Sequence, residues 1–372
     1  MSNENISGNN IEEKDNMNKT ANKENESDNS DYRNYFYPWI KPNSKCHSLK
    51  GMLKLHYEIL DFYEFIKLTN NEIKLRNKTY NSINTIIEDN FPNYKCILYG
   101  SFTTELSLPN SDIDILIVEK EESKDKLTEL IQEKKLMENL QNIYTILKNA
   151  NIFTNLEMIN AKVPIITGLF ESTNVHVDIS LYKKDGIDVA DIIKKITSIY
   201  PEIKPLLLLV KYILRQRNLN QIYTGGISSF IIFTLLYYYI SDIRKQIDYE
   251  KERSKKEKLL TLGDLLVGFF NFYAFEFQYE KFGISISNGC HLYIRNNDNK
   301  NILSVRNFED ESQDMGINCF NFSKILDVFK LAAERLNYPE KDVVSYLKEF
   351  IFPDDILKKR ANMISNKNKN DN

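Results

Sequence analysis

Covalent staples are scarce in this 372-residue sequence: it has four cysteines, Cys46, Cys96, Cys290 and Cys319, and no two stand at the spacing of a zinc site or a redox motif. A reduced intracellular compartment is the expectation. Excess positive charge is lacking too, with 49 basic against 52 acidic side chains and a formal net charge of −3. What imbalance exists sits at the ends: residues 1–31 hold eight acids against three lysines, and residues 357–372 hold five bases against one acid. That distribution excludes a strongly basic nucleic-acid clamp as the main feature. No apolar run reaches the ~20 residues a bilayer requires. The longest, 227–240, is interrupted by Ser228, Ser229 and Thr234 and reads as a buried helix. No membrane partner is expected, and nothing near the start resembles a signal sequence. His47, His56, His176 and His291 form no cluster, and neither a Ser-His-Asp arrangement nor a Walker loop occurs.

What is present divides by periodicity. Residues 1–31 contain nine asparagines and no aromatic side chain. Such a segment cannot repay its ordering entropy, so a disordered acidic tail is expected there and a disordered basic tail over 357–372. Between the tails the chain is long enough for two cores. Over 48–68 the apolar side chains are too dense for a one-sided helix, so a helix buried on much of its surface is expected. Thr69 stands three residues before Glu72, the capping-box spacing, which predicts a second helix from Asn70 toward Asp89. Residues 96–99 and 111–119 read as strands around a turn at Gly100 and Ser101, with Ile113, Ile115, Ile117 and Val118 suited to a sheet core. A charged helix over 124–149 and strands near 154–159, 163–170 and 174–181 follow. Beyond Asp185 and Gly186 the pattern turns helical, with starts near Ile187, Pro201, Gly225 and Thr261. Short strands are expected at 283–287 and 292–295, then helices at 322–336 and 339–350. The expected fold class is α+β.

Strand alternation places Asp112 and Asp114 on the face opposite Ile113 and Ile115, and it places Asp178 with His176 and Ser180 opposite Val177 and Ile179. Two carboxylates side by side repel unless a cation intervenes. Magnesium, with manganese as the other choice, prefers such hard oxygen ligands and leaves room for triphosphate oxygens. Two ions would clamp both ends of an in-line phosphoryl displacement, and Asp178 has the parity to be the third ligand. Gly100 and Ser101, at the start of a short helix, offer amides and a hydroxyl to phosphate. Lys211 and Arg215 form a like-charge i, i+4 pair that an anion between them would relieve, with a solvated basic face as the alternative. Gly225 and Gly226 mark a turn, and Ser228 and Ser229 open the next helix. Phe230 is either a stacking platform or a core aromatic, and His176 is more simply a hydrogen-bonded strand residue.

The run from Gly100 to Asp114 (GSFTTELSLPNSDID), with Thr224–Phe230 (TGGISSF), Leu262–Leu266 (LGDLL) and Phe269–Tyr273 (FFNFY), resembles the TRAMP-type nuclear poly(A) polymerases of the DNA polymerase β-like nucleotidyltransferase superfamily. The helix around Leu55–Phe62 (LHYEILDF) resembles theirs as well, and the likeness spans roughly 37–350. It implies a nucleotidyltransferase palm over 93–186, inserted into a mostly helical central domain built from 32–92 and 187–356. ATP would lie in the cleft between them. By this resemblance Asp112, Asp114 and Asp178 are the catalytic metal ligands, Gly100, Ser101, Lys211 and Arg215 hold the triphosphate, and Ser229 joins the nucleotide site. Phe230 stands where the branch usually has a stacking tyrosine, and Asp185 where it tends to have a ribose-contacting asparagine. Gln313 and Asp314 fall in a shortened form of its base-reading loop. That segment holds no histidine, whereas uridine-adding relatives often place one there, so ATP is favoured over UTP.

The implied activity is template-independent addition of AMP from ATP to RNA 3′ ends in nuclear RNA surveillance, with a zinc-knuckle RNA-binding protein and an RNA helicase as partners. Terminal uridylyl transfer and a non-catalytic scaffold of an RNA-processing complex are the alternatives.

Overall fold

The computed structural model describes residues 37–120, 129–160, 164–181, 185–254, 259–287, 289–295, 302–308, 310–339 and 343–370. The tail expected over 1–31 lies outside these residues, as does the first part of the charged helix expected from 124.

Helix α1, Gly51–Ile66, buries Leu55, Ile59, Phe62, Phe65 and Ile66, the dense apolar run noted above. Helix α2, Asn70–Asn90, starts at the predicted capping box. The Thr69 amide donates to Glu72 Oε2 at 2.7 Å, and the Glu72 amide donates to Thr69 Oγ1 at 3.3 Å. Such a cap is worth about 1 kcal/mol.

The two helices then part company. Ile83 and Ile87 of α2 join a core with the sheet, whereas α1 joins the other, larger core. The expected assignment of all of 32–92 to the central domain is thereby corrected: the change of core falls at 67–69, between the helices. Two helices adjacent in sequence carry no pattern that says which core each will enter.

The palm sheet comprises β1 (Tyr94–Tyr99), β2 (Ile113–Glu119), β3 (Phe153–Ile159), β4 (Ile165–Phe170) and β5 (Val175–Leu181), in the order β1-β2-β5-β4-β3. The β2–β5 pair is parallel and the others antiparallel, a mixed sheet. A one-turn helix α3, Gly100–Thr103, follows β1. Helix α4, Glu129–Asn149, covers the sheet with Leu140, Ile143 and Leu147, and α2 covers it too.

The larger core gathers α1 with α5 (Asp185–Ile199), α6 (Ile203–Arg215), α7 (Ser229–Ser254), α8 (Leu262–Asn271) and α9 (Phe322–Asn337). Within α6 every residue from Pro205 to Leu214 is buried. The two-stranded sheet of β6 (Phe282–Ser285) and β7 (His291–Ile294) lies at its edge. Leu106 and Leu108, from the loop between α3 and β2, enter this larger core and so tie the two bodies together. Among the described residues no helix is long and apolar enough to cross a membrane, and the four cysteines are free.

Two further expectations are corrected. In place of a helix over 339–350 there is a single 3-10 turn, Leu347–Glu349, with 340–342 outside the described residues. Buried Glu58 of α1 captures this segment. It accepts from Trp39 Nε1 at 3.1 Å, from the Tyr346 and Leu347 amides at 2.7 and 3.3 Å, and from the Ser345 hydroxyl. Residues 357–372 were expected to be a disordered tail, yet Asp355–Asn370 is helix α10, with Leu357 and Arg360 buried. Arg360 donates to Glu72 Oε2 at 2.7 Å and to the Lys67 carbonyl at 2.9 Å. Within Lys358–Arg360 the charge is thus one buried ion pair beside two exposed lysines.

Candidate active site

The sheet register brings the acids together. Asp114 on β2 lies directly beside Asp178 on the parallel strand β5, and Tyr99 on β1 flanks Asp114 on its other side. Adjacent strands run about 4.8 Å apart, so these two carboxylates share one face. Ile113 and Ile115 point into the core opposite, as alternation requires. Asp112 precedes the first residue of β2 and is exposed.

The electrostatics record the crowding. Burial, followed by repulsion from Asp178 and Asp112, pushes Asp114 up to about 7, and Lys211 works against this. Asp112 is raised by desolvation and then by Asp178, with His176, Arg76 and Lys211 pulling the other way. Lys211, 7% exposed, donates to the Leu106 carbonyl at 3.1 Å. Burial lowers it to about 8, while Asp114 and Asp112 favour its charged form. Lys211 opposes the rise at both Asp112 and Asp114, yet both carboxyls remain raised, so the site is short of positive charge.

Gly100 is required twice over. Its φ of +71° suits glycine alone among common residues, and a Cβ there would stand 2.1 Å from Asp114 Oδ2. Ser101 is half-buried and shares its hydroxyl with Ser107 Oγ at 3.0 Å. Thr167 on β4 sits opposite Asp178 and donates to its Oδ1 at 2.6 Å. Sequence reading missed Thr167. Its strand and parity were visible, but not the strand order that sets β4 beside β5.

The remaining predicted residues scatter. The Arg215 guanidinium meets Asp354 at 3.4 Å, which already offsets the like-charge cost of Lys211 one turn away. Ser229 is the first residue of α7, and Phe230 is half-buried against the larger core. Just ahead of them Gly225 takes a φ of +78° with the Phe320 ring against it. Asp314 is a correction. Its Oδ1 accepts from the Val305 and Gly316 amides at 3.0 and 2.8 Å, and its Oδ2 accepts from Ser304 Oγ at 2.6 Å. It caps the turn Met315–Asn318, a local task that leaves its carboxylate committed to the loop. Gln313 is exposed and donates to Asp310 Oδ2 at 2.8 Å. Asp185 opens α5, and its side chain lies outside what the structure describes.

A cleft of about 440 Å³ lined by Asn110, Arg215, Asn218, Gln221, Phe352 and Asp354 opens beside the Asp112 loop. A larger cavity of about 680 Å³ between α1, α6, α7 and α8 contains none of the site residues, so size does not mark the chemistry here. Among the described residues no three His, Cys, Asp or Glu side chains form a finished metal shell. The donor set nonetheless fits a hard divalent cation, since Asp114 and Asp178 stand side by side on adjacent strands and repulsion from Asp178 and Asp112 raises Asp114.

Two family profiles match the chain: the central palm domain of mitochondrial-like poly(A) RNA polymerases over 55–198, and the Cid1 family poly A polymerase profile over 261–323. Both profiles describe poly(A) polymerase families, and between them they match the palm with its flanking helices and part of the larger core. Poly(A) RNA polymerase protein 1 of Saccharomyces cerevisiae is 29% identical over 317 residues, covering 82% of this chain and 46% of the relative. Poly(A) RNA polymerase protein 2 of the same yeast is 29% identical over 313 residues, covering 81% and 50%. The chain therefore spans about half the length of these relatives. A solved structure of the polymerase core of TRAMP, a RNA surveillance complex, superposes with a TM-score of 0.68 at 26% identity, covering 87% of this chain and 98% of that one. The first profile begins inside α1 and runs through α5, so α1, the palm and the covering helices match as one unit.

Proposed function

We propose that this chain is a template-independent poly(A) RNA polymerase that transfers AMP from ATP to the 3′-hydroxyl of RNA and releases pyrophosphate. The observation that carries the reading is the parallel pairing of Asp114 with Asp178, with Gly100 backbone pressed against the Asp114 carboxylate. Asp112, Asp114 and Asp178 would hold magnesium or manganese, which would supply the charge these acids lack and polarise the reacting oxygens. Asp178, oriented through Oδ1 by Thr167, takes part through Oδ2 in removing the proton of the acceptor hydroxyl. Lys211 remains largely cationic at neutral pH and steadies phosphate charge. Gly100 and Ser101 face the triphosphate from the palm, and Ser229 does so from α7. Phe230 stacks on the base, a contact worth ~1–3 kcal/mol. Asp185 is assigned to the ribose and Gln313 to the base edge. Arg215 reaches phosphate only by leaving Asp354.

A chain with 49 basic and 52 acidic residues offers RNA little electrostatic attraction of its own. Partners that bind RNA, of the zinc-knuckle and helicase kinds, and action in the nucleus complete the proposal. The similarity to the polymerase core of TRAMP, a RNA surveillance complex, supports work within a complex; the kinds of partner and the nucleus rest on the motif resemblance alone.

The test is extension of an oligo(A) RNA primer with each labelled nucleotide and Mg²⁺, by the wild-type chain and by an Asp112→Ala/Asp114→Ala variant. ATP-dependent extension lost in the variant is expected. Preference for UTP would overturn the adenine reading, and equal extension by both proteins would remove these acids from the chemistry.

A further inference from the structure

Arg76 of α2 is 4% exposed, and an arginine buried in this way calls for a reason, because a guanidinium taken out of water is unfavourable until its partners offset the lost hydration. Its partners lie on the loop that presents Asp112. Nη2 donates to the Pro109 carbonyl at 2.8 Å and to the Ser111 carbonyl at 3.1 Å, while Nη1 makes a longer bond of 3.4 Å to the Glu72 carbonyl of its own helix. Residues 108–111 form a tight turn: the Ser111 amide donates to the Leu108 carbonyl at 2.9 Å, and the Leu108 amide donates to Ser111 Oγ at 3.0 Å. Arg76 thus pins a turn that closes one residue before Asp112. Burial lowers the Arg76 pKa and Arg360 adds to that, whereas Glu72 and Asp112 oppose it, so these three groups lie within electrostatic reach of Arg76.

The start of the Arg76 helix is itself held from a distant part of the chain. Glu72 Oε2 accepts from the Thr69 amide and hydroxyl at 2.7 and 2.8 Å, and from Arg360 of α10 at 2.7 Å. Arg360, 5% exposed, also donates to the Lys67 carbonyl at 2.9 Å, at the point where the chain passes from one core to the other. Hydrogen bonds therefore run unbroken from the C-terminal helix through Glu72 and Arg76 to the residue adjoining Asp112.

We propose that Arg76 is the positioning residue for Asp112, and that Arg360, by clamping Glu72, makes the C-terminal helix α10 part of the catalytic scaffold. The inference rests on the reading of Asp112 as a ligand of a divalent cation. A role confined to stability would lower the melting temperature and leave cation affinity alone; a positioning role moves cation affinity.

The experiment measures Mn²⁺ binding to the full chain, by the electron paramagnetic resonance of free Mn²⁺, alongside thermal melting. Asp112→Asn serves as the reference. Arg76→Met is expected to weaken Mn²⁺ binding roughly tenfold to a hundredfold, the usual effect of losing a group that orients a ligand. Arg76→Lys should recover part of the loss, and Arg360→Met should shift affinity in the same direction by a smaller factor. Lys358→Ala, on the same helix but facing solvent, should leave it unchanged. If Asp112→Asn binds Mn²⁺ normally, the ligand reading of Asp112 fails. If Asp112→Asn is weakened while Arg76→Met and Arg360→Met stay within about twofold of wild type, the positioning role is overturned and the ligand reading stands. Should Arg76→Met not fold, Arg76→Lys and Arg360→Met decide the same comparison.

Discussion

At the scale of single residues, function and geometry are most tightly joined at Gly100 and Thr167. Gly100→Ala would place a methyl group into the Asp114 carboxylate and force a side chain to adopt φ +71°. The backbone conformation alone costs about 1–2 kcal/mol, so a modest fall in melting temperature is expected. Primer extension should fall far more than stability if the displaced group is the metal ligand proposed above; parallel losses of both would show that the contact is only structural. Thr167→Val keeps the shape and removes the donor to Asp178. A hydrogen bond to a charged group is worth about 1.5–3 kcal/mol, so kcat should drop by about tenfold or more, with Thr167→Ser close to wild type. A valine variant with unchanged kcat would remove Thr167 from the account. Both residues illustrate what a sequence displays. Gly100 stands in a recognisable motif, whereas Thr167 acquires meaning only from the strand beside it.

Among whole elements, the strands were the most legible. Alternation around Ile113, Ile115, Val177 and Ile179 gave the faces of β2 and β5, and the Thr69–Glu72 spacing gave the start of α2. Contacts between distant segments left no trace in local pattern. Arg360 and Glu72 stand 288 positions apart, so α10 read as a charged tail. Arg215 gave no sign of Asp354, and Asp314 looked free to read a base because the amides it caps cannot be seen in a composition. Glu58 belongs to the same class, and its burial makes a prediction about pH. Desolvation raises its carboxyl above the ordinary 4.5, against hydrogen bonds from Ser345, Trp39 and the backbone of Tyr346 and Leu347. The folded chain therefore binds this proton more tightly than the unfolded chain. The corresponding stability is fully present below about pH 4.5 and is lost as pH rises through the folded-state value. The melting temperature of Glu58→Gln minus that of wild type should grow between about pH 4 and pH 8. A difference that is flat with pH would mean that Glu58 titrates normally in the folded protein.

Taken whole, the molecule is two cores bound together beside the candidate active site: Leu106 and Leu108 enter the larger core, and the chain then returns through the turn at 108–111 to Asp112 and β2. Lys211 from that core reaches the same loop. The near balance of 49 bases and 52 acids predicts weak RNA binding with a shallow salt dependence. A plot of log affinity against log salt should have a slope smaller in magnitude than about 3, and a slope near 6 would reveal a basic RNA track that the composition does not suggest.

The central claim is that Asp112, Asp114 and Asp178 jointly bind divalent cations beside the triphosphate. Anomalous diffraction from crystals grown with Mn²⁺ and a non-hydrolysable ATP analogue tests it most directly. Peaks about 2.1 Å from carboxylate oxygens of Asp112 and Asp114, with Asp178 within reach of the same ions, are the result expected. Peaks bound elsewhere, with these three carboxylates free of metal while the analogue occupies the cleft, would contradict it.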